Sequence, residues 1–98
     1  MIVHVVLMHL RDDVAADELE RLAANVQDLA ESIAGRGSCV IGTNVTEEPL
    51  SQGYEFGFAV RFADRAALAT YHADAAHEEV SRVIEALSRS VLVFDFAA

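Results

Sequence analysis

The segment that most constrains this chain is its start. From Ile2 to Leu10 it is almost continuously apolar and rich in β-branched residues. A strand with one wet face alternates apolar and polar residues, whereas a run that is apolar at both parities marks a strand covered on both faces. Further along, Tyr54, Phe56, Phe58, Val60 and Phe62 share one parity, and Gly57 and Ala59 keep the other parity nearly apolar as well. A chain of 98 residues has room for one domain, residues 1–98, and 53% of it is hydrophobic. A sheet left open on an apolar face would carry an oversized greasy patch, and pairing two sheets by two-fold symmetry removes it. A homodimer is therefore the expectation.

The remaining elements follow from periodicity. Leu19, Leu22, Val26, Leu29 and Ile33 form a helical stripe, with Asp12 or Asp13 as N-cap and Gly35-Arg36-Gly37 as its end. Cys39–Val45 reads as a second strand and Tyr54–Phe62 as a third, joined by the polar loop that contains Pro49. Asp64 caps a short helix carrying Leu68 and Tyr71. Asp74 caps another carrying Val80, Val83, Ile84 and Leu87, and Val91–Phe96 closes as a fourth strand. The order βαββαβ predicts an α+β, ferredoxin-like fold, with both helical regions on one face of an antiparallel sheet.

Charge and composition narrow the function. The net charge is −9, and all seven basic residues are arginines. An acidic chain without basic clusters repels phosphate backbones, so no nucleic-acid partner is expected. The absence of lysine excludes Schiff-base chemistry and a P-loop. One cysteine cannot form an intrachain disulfide or a thiolate zinc site. No apolar run approaches the roughly 18 residues of a membrane helix, and His4 and His9 interrupt the N-terminal strand, which lacks a basic leader. No membrane partner and a cytoplasmic location are the expectations.

Several features in order resemble the stress-responsive dimeric α/β-barrel (Dabb) family over nearly the whole chain. They are His4 on the first strand, Gly53-Tyr54-Glu55-Phe56, Phe62-Ala63-Asp64, the segment Tyr71 to His77, and the closing Phe94-Asp95-Phe96. The resemblance implies a ferredoxin-like monomer, a dimer whose two sheets form a barrel, and a cavity between helices and sheet. It also implies either of two functions. One is a cofactor-free, polyketide cyclase-like or lyase-type activity by proton abstraction beside a carbonyl, with Tyr71, His77 and His4 matching the pocket residues of that branch. The other is a non-catalytic stress-response or small-ligand-binding dimer. Two positions depart from the pattern: Asp74-Ala75 stands where a His-Pro pair is usual, and Phe56 replaces a pocket histidine.

The residues themselves allow this chemistry. His77 sits at the third position of a helix capped by Asp74, at the edge of the stripe formed by Val80, Ile84 and Leu87 at ~100° per residue. The helix N-terminus and burial both disfavour imidazolium there, which suits a general base. Tyr71 could stabilise a developing enolate or simply pack its ring. His4 points to the opposite sheet face from His9, and antiparallel pairing of the first and last strands brings it towards Asp95. Phe56, Phe58, Leu22, Val26 and Ile84 are the candidate substrate walls for a small apolar or phenolic ligand. His9 is assigned to the dimer side or the strand end, and His72 to solvent. No cofactor and no metal are expected, since nothing in the spacing of His4, His77 and Asp95 demands a metal. Haem-degrading enzymes share the dimeric-barrel architecture and typically place a tryptophan over the haem; this chain has none, so the resemblance does not extend to a haem role.

Overall fold

A computed structural model describes all residues from Met1 to Ala98. Its elements are β1 (Ile2–Leu10), α1 (Ala16–Ala34), β2 (Cys39–Thr43), β3 (Phe56–Phe62), α2 (Arg65–Ala73), α3 (Ala75–Leu87) and β4 (Ser88–Ala97). The strands form one antiparallel sheet in the order β2-β3-β1-β4, the ferredoxin-like arrangement. The apolar run at the N-terminus becomes a central strand with a neighbour on each side, as its two-sided composition requires.

All three helices lie on one face. Ile2, His4, Val6 and Met8 of β1 and Phe56, Phe58, Val60 and Phe62 of β3 point into it and are buried. Leu22, Val26, Leu29 and Ala30 of α1, Tyr71 of α2, and Val80, Ile84 and Leu87 of α3 meet them. Tyr71, Phe62, Met8, Leu22, Val26 and Val60 are the largest side chains fully removed from water. Each contributes about 1.5–3 kcal/mol of burial to the fold. Gly57 is required where β3 crosses β1: a Cβ there would come within 2.8 Å of the Val6 carbonyl oxygen and of Leu7 Cδ2.

The opposite face carries Val3, Val5 and Leu7, with Phe96, Phe94 and Leu92 directly across from them on β4. Phe94 is 59% exposed, Phe96 42% and Val40 65%. An apolar face of this breadth is uncovered in the single chain.

Three boundaries differ from the sequence reading. The first helix begins at Ala16, beyond Asp12-Asp13; neither aspartate caps it, and instead the Glu18 carboxylate accepts from the Ala15 amide at 3.0 Å. β2 stops at Thr43 and β3 starts at Phe56, because Asn44 turns its side chain to the Tyr54 carbonyl, with Asn44 Nδ2 donating at 2.8 Å. β4 starts at Ser88 rather than Val91, since Ser88 and Ser90 pair with Leu10 and His9 despite their polarity.

Candidate active site

The site lies between β1, the end of α2 and the start of α3. Asp64 opens α2 by accepting from the Ala67 amide at 2.9 Å. Asp74 then serves two helices at once. Its backbone amide donates to the Tyr71 carbonyl at the end of α2, and its carboxylate accepts from the Ala76 amide at 2.8 Å at the start of α3. This sharp junction folds Tyr71 and His77 onto each other, six residues apart in sequence, with ring centroids 4.8 Å apart in an edge contact.

His4 reaches the same place from β1. It stands opposite Asp95 in the β1–β4 register, and its Nδ1 lies 2.5 Å from Asp95 Oδ1. A carboxylate only accepts, so the proton in this bond is on Nδ1. The His4 ring is 5.8 Å from Tyr71, and 6.5 Å from both Phe58 and Phe62. His4, Tyr71 and His77 thus converge on one cavity of about 200 Å³. Val6, Phe58, Val80, Ile84, Val91 and Val93 form its apolar wall, and Ser81 and Glu85 border it on α3. On the β4 side of the cavity Val93 remains 57% exposed.

Of the candidate substrate walls, Phe58 and Ile84 line this cavity. Leu22 and Val26 do not: both are fully buried in the packing between α1 and the sheet and face no void. Phe56 borders a separate, shallow depression beside the β2–β3 connection, because it lies at the far end of β3 from His4. His9 is on the opposite sheet face, against Gly53 and 4.0 Å from Glu55.

One residue of the cavity is absent from the candidates read from the sequence. His72 is exposed, as assigned, yet its ring stands 5.0 Å from His77 and 5.4 Å from His4, and it lines the cavity. The signal was present: His72 falls four residues after Leu68, one helical turn along the buried stripe. In the same way His77, Ser81 and Glu85 recur at every fourth residue of α3 and make the polar edge of the cavity.

Electrostatics assign protonation states. Burial, then the neighbouring His72 and His4, lower the pKa of His77 below the ordinary 6.5, with Asp74 opposing. Burial and His4 lower His72 as well, with Asp95 opposing. Burial first, and Cys39 second, push the Tyr71 phenol up to about 12. At neutral pH His72 and His77 are therefore mostly neutral and able to accept a proton, and the Tyr71 phenol keeps its proton. No group of three or more His, Cys, Asp or Glu side chains is arranged to hold a metal ion.

A four-stranded antiparallel sheet under three helices, with a histidine–tyrosine cavity between them, defines a ferredoxin-like α+β protein with an internal polar pocket. The chain belongs to the stress responsive A/B barrel domain (Dabb) family, whose profile matches residues 2–98. It is similar to the stress-response A/B barrel domain-containing protein HS1 of Arabidopsis thaliana, 31% identical over 93 residues, covering 95% of this chain and 85% of that protein. Its structure resembles that of a dimeric ferredoxin-like protein of unknown function from Jannaschia sp. CCS1. The TM-score is 0.88 and the identity 27%, over 99% of this chain and 98% of that one. Hydroxynitrile lyase from Passiflora edulis shares the fold, with a TM-score of 0.84 at 14% identity, over 97% of this chain and 90% of the lyase. No helix is long and apolar enough to cross a membrane.

Proposed function

We propose that this protein is a cofactor-free acid–base catalyst acting on a small, neutral, largely apolar carbonyl compound, and that it works as a homodimer. The observation that carries the proposal is the contact between His77 and Tyr71, rings 4.8 Å apart on the wall of one cavity. His77 removes a proton from the carbon next to the carbonyl. Tyr71 donates to the oxygen on which negative charge develops, and His4, oriented by Asp95, fixes the polar end of the ligand. The chemistry is of cyclase or lyase type, and the fold accommodates a lyase in the Passiflora edulis enzyme.

The cavity favours a particular size and charge. Its volume of about 200 Å³ is below the ~300–1,000 Å³ of drug-sized sites. That suits a single ring or a short chain better than an extended polyketide. Glu85 on the wall and a net charge of −9 disfavour anions. The dimer is supported by the apolar open face, with Phe94 and Val40 more than half exposed in the single chain.

The test is exchange of the methyl protons of acetophenone for deuterium in D₂O, followed by proton NMR. Wild-type protein is expected to accelerate exchange over buffer, and His77→Gln to remove the acceleration while keeping the wild-type circular dichroism. Saturable binding of acetophenone without exchange would instead establish the non-catalytic, ligand-binding alternative.

A further inference from the structure

The mechanism above leaves His72 without a task, although it is the residue that joins the other two histidines. Its ring lies between them, 5.0 Å from His77 and 5.4 Å from His4, and His4 continues the chain to Asp95. Resting on the acid–base reading just given, we propose that His72 and His77 act as a single-proton pair, His77 as the base at substrate carbon and His72, as imidazolium, as the acid at substrate oxygen.

The geometry argues for unequal roles. Two imidazoles this close on one partly enclosed wall repel when both are charged, so they bind protons one at a time. His72 is the more exposed of the two, whereas His77 is half-buried beside Val80 and Tyr71. The first proton therefore resides on His72 and leaves His77 neutral. The direction of the electrostatic influence agrees: the charge of His72 lowers the pKa of His77. The other groups facing the pair are His4 from β1, Tyr71 from α2, Asp74 at the α2–α3 junction, Glu85 from α3 and Asp95 from β4. Asp95 and Asp74 favour the cation, one on each member. Tyr71 binds its proton too tightly to give it up, so it orients the oxygen by hydrogen bonding and does not supply the proton.

The proton count closes. The substrate C–H bond breaks, its proton goes to His77, and its electron pair forms the enol double bond. The carbonyl π pair then takes the proton of His72. The enzyme now carries its single proton on His77; loss of that proton to solvent and reprotonation of the exposed His72 restore the starting state without net uptake. In the reverse direction, in D₂O, the same cycle delivers deuterium to carbon.

Two measurements test this. The C–H resonances of the four histidines are titrated by NMR in ligand-free wild type and in His72→Gln. The His77 midpoint is expected to rise in the variant, because the neighbouring cation is gone; an unmoved midpoint overturns the pair. In the second, acetophenone exchange is followed against pH. Wild type is expected to show a bell centred below 6.5, with an acid limb from His77 and an alkaline limb from His72. His72→Gln is expected to slow exchange at the optimum by about 10²-fold and to lose the alkaline limb. Wild-type rate and profile in His72→Gln, with His77→Gln inactive, overturn the pair and leave the acid–base reading standing. An inactive wild type overturns the acid–base reading itself.

Discussion

Tyr71 shows how much one buried polar residue settles. It is among the most buried side chains of the protein, packs on Phe62 at 5.1 Å, and still borders the cavity. Its pKa of about 12 in the folded chain exceeds the ordinary 10.0, so the folded state holds the phenolic proton more tightly than the unfolded one. The resulting stabilisation is fully present below pH 10 and is lost as pH rises from 10 through 12, by about 2–3 kcal/mol in total. Tyr71→Phe is expected to keep the fold at neutral pH and to lose less stability than wild type between pH 9 and pH 12. Urea unfolding at both pH values measures this, and equal alkaline losses in the two proteins would refute it. At this scale the sequence was informative where one dimension sufficed. The pairing of His4 with Asp95 followed from strand parity and strand order. The part played by His72 did not, because an exposed histidine on a short helix becomes part of a site only when α3 folds back beside it.

At the level of elements, the junction of α2 and α3 does the positioning. Asp74 ends one helix with its backbone and starts the next with its side chain, and His77 sits three residues beyond it. The His77 amide also bonds the Asp74 carbonyl at 3.0 Å. Replacing Asp74 with Ala is expected to cost about 1 kcal/mol of stability. It should also lower acetophenone exchange more than that cost explains, since the first turn of α3 carries the base. Asp74→Ser, which keeps a capping oxygen, is expected to restore most of both. Chemical denaturation read alongside exchange rates checks the pairing of effects, and an Asp74→Ala protein with undiminished exchange would show that the cap does not position His77. Both caps, Asp64 and Asp74, were legible because a side-chain cap is a local event written in adjacent residues. The cavity walls were legible only in part. Helical periodicity identifies which side of α1 is buried, but not whether that side meets packed side chains or a void. Hence Leu22 and Val26 proved to be core, while Ile84, read by the same rule, borders the cavity.

At the level of the whole molecule, the two faces of the sheet have separate tasks. The helix side holds His4, His72 and His77, and the open side holds Val3, Val5, Leu7, Leu92, Phe94 and Phe96 in directly opposed pairs. The doubly apolar β1 that led the sequence reading is explained only if something covers the open face. Solved relatives of the same fold include a protein described as dimeric. Phe94 is the sharpest probe, because it is 59% exposed in the single chain and lies on the edge strand β4 across from Val5. In a face-to-face dimer, Phe94→Asp would place a carboxylate without a partner in each half of an apolar interface, at a cost of several kcal/mol per subunit. In a monomer the same change would only replace an exposed ring with a solvated charge and would raise solubility. Light scattering after size exclusion separates the cases: wild type at micromolar concentration is expected at the mass of two chains, and Phe94→Asp at the mass of one. Because Phe94 points away from His4, Tyr71 and His77, a folded Phe94→Asp monomer also asks whether one chain suffices for proton exchange. Retained exchange would assign the dimer to stability, whereas lost exchange with intact secondary structure would make the partner necessary to the cavity. A wild type that runs as a stable monomer would leave the apolar strand face unexplained and would remove the dimer from the proposed function.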